Sequence, residues 1–197
     1  MKRYLSNAIA LALMMVCSTV AARAQGGQSP KSAAPSSGFR AEFLRHLEDA
    51  EKKLIALSEA VPQEKYSWRP AEGVRSMSEV FTHVAGGNYL ITQAVGVKPP
   101  AGIDREVEKI TDRAKVIDTL KGSFEHVRQA ALNTSDADLD KSVNLFGRAT
   151  TTRDVFLLLA THAHEHLGQA IAYARMNNVV PPWTAARQAR PQQRPTQ

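Results

Sequence analysis

The stretch Thr161-His162-Ala163-His164-Glu165-His166-Leu167-Gly168-Gln169 places three of the chain's six histidines within five residues of an apolar, helix-like segment. Each residue of an α-helix advances about 100°, so His162 and His166 lie one turn apart on one face, whereas His164 points about 200° away from His162. Such a pair can bind one metal ion, and a histidine from another helix would complete a site of three imidazoles. The alternative is that His162 and His166 are hydrogen-bonded histidines of a helical core.

The two ends of the chain differ in composition from a packed domain. Residues 1–24 combine a basic start, an apolar run and an Ala-Arg-Ala cleavage pattern, which predicts a cleaved signal peptide and a periplasmic or secreted protein without stable membrane insertion. A disordered leader is predicted at 25–38, which is rich in Gly, Ser, Pro and Ala. A disordered tail is predicted at 185–197, which is rich in Gln, Arg and Pro. A single domain is therefore expected at 39–184.

Charge and cysteine content argue against several classes of function. The chain carries a net charge of +6, but seven of its 25 basic residues lie in the two ends, and the remaining 18 are balanced by 19 acidic residues. A nearly neutral domain without a clustered basic face argues against nucleic acid as a partner. The only cysteine, Cys17, lies in the predicted signal peptide, so the mature chain is expected to have neither a disulfide nor a thiolate metal ligand.

Apolar residues recur at spacings of three and four in four segments, which predicts an all-α fold, a four-helix bundle with long connectors. The predicted helices cover 39–60, 76–94, 112–132 and 151–176. Ser76 and Glu79 have the spacing of a capping box at the start of the second helix. The polar connector from 133 to 150 shows no convincing strand pattern.

His83 is the histidine that would complete the set. It follows the apolar spacing of the second helix, so it faces the bundle interior, as His162 and His166 do from the fourth helix. Three imidazoles leave coordination positions open for water or a substrate atom, which is typical of catalytic metal sites. They suit one divalent ion, namely zinc, nickel, iron or manganese, and copper is also compatible.

Other residues around these helices have weaker signals. Gln169 and Asn88 are candidates for hydrogen-bonding partners behind the ligands, and Gly168 for the close approach of a neighbouring helix. The remaining histidines of the domain are expected at the surface; they are His46, His126 and His164. Two apolar residues expected on the outside of the bundle, Phe156 and Leu157, could support a homodimer.

Two segments resemble the DinB family of metal-binding four-helix bundles. They are Ser-Met-Ser-Glu-Val-Phe-Thr-His-Val-Ala, from Ser76 to Ala85, and His-Ala-His-Glu-His-Leu-Gly-Gln, from His162 to Gln169, which is followed by Pro181-Pro182. The resemblance covers about 39–183. It implies that one histidine of the second helix and a His-x-x-x-His pair of the fourth are the metal ligands, and these fall on His83, His162 and His166.

The resemblance leaves the reaction open. Characterised members of the family include transferases and isomerases that use low-molecular-weight thiols, whose pKa a metal ion lowers. One hypothesis is a metal-dependent hydrolase or thiol-linked transferase that acts on a small-molecule substrate. The other is a non-catalytic metal-binding or interaction module, so the sequence alone does not decide whether the protein is an enzyme.

Overall fold

The computed structural model describes residues 34–190, in which the four apolar stripes form four long helices. These are α1 (Gly38–Ala60), α2 (Met77–Ile91), α3 (Arg113–Asn133) and α4 (Thr152–Met176). The predicted bounds are confirmed closely, except that α2 ends at Ile91 and continues as a 3-10 turn, Thr92–Val95. The predicted signal peptide (1–24), most of the predicted leader and residues 191–197 of the predicted tail lie outside the described residues.

The helices are arranged so that α1 and α2 each pack against both α3 and α4. Consequently α1 and α2 lie on one diagonal of the bundle, and α3 and α4 lie on the other. The chain crosses a diagonal between α1 and α2 and again between α3 and α4, whereas the longest connector, 92–112, joins the neighbouring helices α2 and α3. The predicted all-α four-helix bundle in a single domain is confirmed.

The core is built from the apolar stripes of all four helices. Leu47, Phe81, Phe124 and Leu159, one from each helix, are fully buried. Phe156 is also fully buried, with its ring centroid 4.9 Å from that of Phe43 on α1, so the prediction that it lies on the outside is wrong. Its neighbour on α4, Leu157, is exposed.

The start of α2 is fixed by the capping box that the sequence predicted. The Ser76 hydroxyl accepts from the backbone N–H of Glu79 (3.3 Å), and the Glu79 carboxylate accepts from the backbone N–H of Ser76 (2.6 Å). These bonds satisfy donors that the first turn of a helix otherwise leaves unpaired. Beyond this cap, α2 buries Val80 and Val84 in the core, and His83 lies beside the α4 rings.

A β-hairpin occupies the connector between α3 and α4, where no strand was expected. Its strands are β1 (Ser142–Leu145) and β2 (Arg148–Thr151), which pair antiparallel with Leu145 opposite Arg148. The turn consists of Phe146 and Gly147, both with positive φ (51° and 84°). This is the backbone of a type I′ turn. Such turns usually carry Asn-Gly, so the Phe-Gly sequence did not predict a hairpin here.

Two further predictions about the periphery are wrong. Residues 185–188, expected in a disordered tail, belong to a fifth helix, α5 (Pro182–Gln188), which packs against α1. Proline suits the first turn of a helix because the missing N–H would have no intrahelical partner there. His126, expected at the surface, is half-buried, with its Nε2 3.0 Å from the Thr92 hydroxyl.

None of the helices within residues 34–190 is long and apolar enough to cross a membrane.

Candidate metal centre

Three histidines from two helices converge at the α2–α4 interface. The ring centroids of His162 and His166 are 4.6 Å apart, and those of His83 lie 4.7 Å from His166 and 5.1 Å from His162. One ring nitrogen from each residue lies within 4.8 Å of the others. His166 is buried, and His83 and His162 are half-buried. The structure therefore brings together the three side chains that the helical spacing selected.

Two of the three rings are oriented by acceptors on their Nδ1 atoms. Nδ1 of His83 lies 2.9 Å from Oε1 of Glu108, and Nδ1 of His166 lies 2.8 Å from Oε1 of Gln169. The Gln169 amide in turn donates to the Tyr173 hydroxyl (3.0 Å). An imidazole that donates from Nδ1 keeps the lone pair of Nε2 available.

The third ring, that of His162, is positioned by packing against Gly87. A Cβ atom built on Gly87 would lie 3.0 Å from Nδ1 and 3.2 Å from Nε2 of His162, and closer still to Cε1. Real Cβ atoms rarely approach other atoms so closely, so only glycine leaves room for the ring here. Nε2 of His162 lies 3.3 Å from Nε2 of His83, whereas its buried Nδ1 has no hydrogen-bond partner among the described residues.

Burial keeps the interior rings neutral. It lowers the pKa of His162 to about 4, helped by the positive charges that His166, His83 and Arg75 would carry. Burial also lowers the pKa of His166, although its bond to Gln169 acts in the opposite direction. At neutral pH both rings therefore offer lone pairs without first losing a proton.

The sequence model of the DinB superfamily matches residues 46–170, which is most of the described domain. The chain belongs to the DinB superfamily. This confirms the resemblance seen in α2 and α4. No protein of curated function matches the sequence.

Crystal structures of other DinB-like proteins have the same fold as this DinB-superfamily chain. One, from Bacillus cereus ATCC 10987, is 20% identical in sequence, with a TM-score of 0.64 over 71% of this chain and 93% of that one. Another, from Bacillus subtilis, is 21% identical, with a TM-score of 0.54 over 70% of this chain and 92% of that one. At these identities the likeness establishes the architecture.

The donor set in this DinB-superfamily chain fits a divalent metal ion. Two ligands bound about 2.0–2.1 Å from a tetrahedral ion are about 3.3 Å apart, which matches the Nε2–Nε2 distance of 3.3 Å between His83 and His162. Donation from an imidazole Nδ1 to a carboxylate or amide oxygen is the usual way in which proteins orient a histidine ligand. His83, His162 and His166 could hold the ion, with Glu108 and Gln169 behind them.

Two cavities adjoin the cluster and share Glu108 in their walls. One, of about 530 Å³, is mostly apolar and is lined by His83, Leu90 and Val107 among others. The other, of about 770 Å³, is polar and open, and Arg75 and Gln169 contribute to its wall. The volumes are in the range of pockets that accept small molecules.

Three residues that the sequence analysis considered lie outside this arrangement. The buried amide of Asn88 donates to the Ser123 hydroxyl on α3 (3.1 Å), so it belongs to the α2–α3 interface rather than to the histidines. A Cβ on Gly168 would meet nothing within 4 Å, so Gly168 does not allow a close helix approach. His164 faces outward beside α1, with its Nδ1 2.9 Å from the Ala160 carbonyl and its ring near that of His46.

Three contributors to the site were not predicted from the sequence. Glu108 lies in a short 3-10 segment (Arg105–Lys109) of a connector without periodicity, so nothing local marked it. Tyr173, whose hydroxyl accepts from Gln169, lies a further turn along α4 and carried no signal of its own. Gly87 did carry a signal. Glycine in a helix interior lowers helix stability, so its presence four residues after a candidate ligand indicates that close packing requires it there.

Proposed function

We propose that this DinB-superfamily protein binds one divalent metal ion through Nε2 of His83, His162 and His166. The observation that supports this most directly is the convergence of three imidazoles, two of which have Nδ1 beside an acceptor. The Nε2 atoms of His83 and His162 also lie 3.3 Å apart, which is the separation expected of two ligands on one tetrahedral ion.

We further propose that the bound ion serves a reaction of a small molecule, as a metal-dependent hydrolase or a thiol-linked transferase. Three protein ligands leave coordination positions open. One cavity is lined by His83, and the other by Glu108 and Gln169, which contact the proposed ligands. When bound, a divalent ion lowers the pKa of a coordinated water or thiol and so supplies a nucleophile near neutral pH. The protein's own part is to orient the rings through Glu108 and Gln169 and to enclose a substrate in the cavities.

Metal titration of matched histidine variants tests the metal site. The wild-type protein, stripped with a chelator, should bind close to one equivalent of zinc or cobalt(II), and the ion should raise the midpoint of thermal unfolding. His83→Ala and His166→Ala should weaken binding strongly, while His164→Ala, which removes an imidazole from the outer face of α4, should not. Equal affinity of H83A and H164A would contradict the assignment.

The catalytic part of the proposal needs a separate test. Metal-loaded protein should turn over a member of a panel of esters, amides and thiol acceptors, and the activity should disappear in H166A. If the metal binds but stabilises the fold without any histidine-dependent turnover, the alternative of a non-catalytic metal-binding module is favoured.

We also propose that the protein is exported to the periplasm or secreted, on the basis of residues 1–24. N-terminal sequencing of protein from the host's extracytoplasmic fraction should find a chain that starts near Gln25. A chain that retains Met1 and stays in the cytoplasm would contradict this.

A further inference from the structure

Two side chains of opposite charge approach the same atom of His83. Nη2 of Arg75 lies 3.0 Å from Nδ1, and Oε1 of Glu108 lies 2.9 Å from it. A guanidinium group can only donate a hydrogen bond, and a carboxylate can only accept one. Because the nitrogen either carries a hydrogen or does not, it can bond to Glu108 or to Arg75, but not to both at once.

Coordination at the opposite nitrogen selects between the two partners. A neutral imidazole that gives its Nε2 lone pair to a metal ion carries its hydrogen on Nδ1. This hydrogen is donated to Glu108, so the N–H group of Arg75 has no acceptor on the ring. Within residues 34–190, Arg75 hydrogen bonds to no other side chain, and no carboxylate oxygen lies within 4 Å of its guanidinium nitrogens.

The surroundings of Arg75 differ from those of the other cations in the same cleft. Arg69 is paired with Glu79 at 3.2 Å, and Lys109 is paired with Glu106 at 2.7 Å. Arg75 is exposed in the polar cavity beside the cluster, and its charge contributes to the lowered pKa values of both His162 and His166. It is therefore a cation near all three histidines that lacks a carboxylate partner among the described residues.

We propose that Arg75 is the anion-binding residue of the metal-loaded site and that the natural ligand carries a carboxylate next to the group that coordinates the ion. The proposal rests on the proposed metal site and names the class of its substrate. Guanidinium groups bind carboxylates through two parallel hydrogen bonds. A singly charged carboxylate suits this cleft better than a phosphate dianion, because Glu79 and Glu108 also line it.

Two thiols that differ in one group provide the test. Mercaptoacetate and 2-mercaptoethanol both offer a thiolate to cobalt(II), and only the first has a carboxylate. Titration of the cobalt-loaded protein, followed by the cobalt–thiolate absorption band, should show mercaptoacetate binding about tenfold more tightly than mercaptoethanol, beyond the ratio for free cobalt. Arg75→Gln should remove this preference, and Arg75→Lys should keep part of it.

The control variant is Arg69→Gln, which removes the same charge from the same cleft but from a residue that is already paired. It should keep the preference. Cobalt should bind R75Q at least as tightly as wild type, because a nearby cation is gone, and a merely structural role of Arg75 would give the opposite result. A preference that is absent from wild type or that persists in R75Q overturns the proposal, as does the lack of a thiolate band with either thiol. Failure of wild type to bind cobalt overturns the metal site itself.

Discussion

The imidazole of His162 lies directly on the backbone of Gly87, so that α2 and α4 meet at a histidine on one side and a bare Cα on the other. The neighbouring ligand His83 lies one helical turn before Gly87 on the same face of α2. A single position without a side chain thus gives the ring from α4 space beside the ring from α2.

Gly87→Ala should therefore damage the centre without removing a ligand. The added methyl group would overlap the His162 ring, so either the ring or the helix spacing must shift. We expect a loss of about 1–3 kcal/mol in the free energy of unfolding, as for other overpacked interiors. Metal affinity should fall by about tenfold or more, because ligand geometry tolerates only small displacements. Isothermal titration and urea unfolding measure the two effects.

Gly168→Ala is the matched control for this substitution. Gly168 also lies inside a helix near the cluster, but a methyl group there would contact nothing within 4 Å. The higher helix propensity of alanine should raise the free energy of unfolding by about 0.5–1 kcal/mol. Metal affinity should not change, and a similar loss of affinity in G87A and G168A would contradict the packing explanation.

Glu108 should control metal affinity through the orientation of His83. Glu108→Ala removes the acceptor of the Nδ1 hydrogen, and such losses behind a metal ligand typically cost about 10–100-fold in affinity. Glu108→Gln keeps an oxygen acceptor and should retain most of the affinity. Glu106→Ala serves as the control, because Glu106 pairs with Lys109 on the surface. Binding of zinc in competition with a chromophoric chelator gives the three affinities; equal values for E108A and E106A would exclude the orienting role.

The metal-free protein should lose stability as the pH falls below about 6.5. The pKa of His162 is 6.5 in the absence of burial and about 4 in the fold. Between these values the unfolded chain binds the proton and the folded chain does not, so the free energy of unfolding rises with pH. The stability that depends on His162 being neutral is fully present above pH 6.5 and is lost as the pH falls towards 4. Its size is up to about 3 kcal/mol.

Urea unfolding in the presence of a chelator, at a series of pH values from 4 to 7, measures this dependence. His162→Gln, which cannot titrate, should show a shallower slope than wild type. His166 contributes in the same direction, because its pKa is also lowered. Identical slopes for H162Q and wild type would show that His162 does not titrate as its burial requires.

The hairpin turn offers a stabilising substitution. Phe146 adopts φ = 51° and is 68% exposed, so its side chain gains little from packing while its backbone is strained. Phe146→Asn creates the Asn-Gly sequence that type I′ turns favour and should raise the free energy of unfolding by about 0.5–1 kcal/mol. Phe146→Ala removes the aromatic ring without the preference of asparagine for this backbone, so it should gain less. A loss of stability in F146N, measured by thermal unfolding, would contradict the turn assignment.

The helices and the three histidines were predictable because both depend on local periodicity. The capping box of Ser76 and Glu79 marks the start of α2, and the spacing of its apolar residues predicts that His83 faces inward. The same repeat separates His164 from His162 and His166. Such information lies within a few residues of each position.

Features that depend on tertiary placement could not be predicted in this way. Glu108 reaches His83 because a connector folds back over α2, and Asn88 turns to α3 because Ser123 offers an acceptor there. The hairpin escaped detection because Phe146 is an unusual residue for its backbone conformation. Contacts between distant segments and strained turns leave no periodic signal in the sequence.

The position of the three ligands also determines what a metal ion would do for the chain as a polymer. An ion held by His83 on α2 and by His166 on α4 would cross-link two helices that are separated in sequence by all of α3 and the hairpin. Closing a loop of this length restricts the unfolded chain, as a disulfide does. With Cys17 as its only cysteine, the chain has no disulfide available for this purpose. The metal ion would then be a reversible cross-link between α2 and α4. A chelator that removes it would lower the stability of this protein, as a reductant lowers that of a disulfide-bonded one.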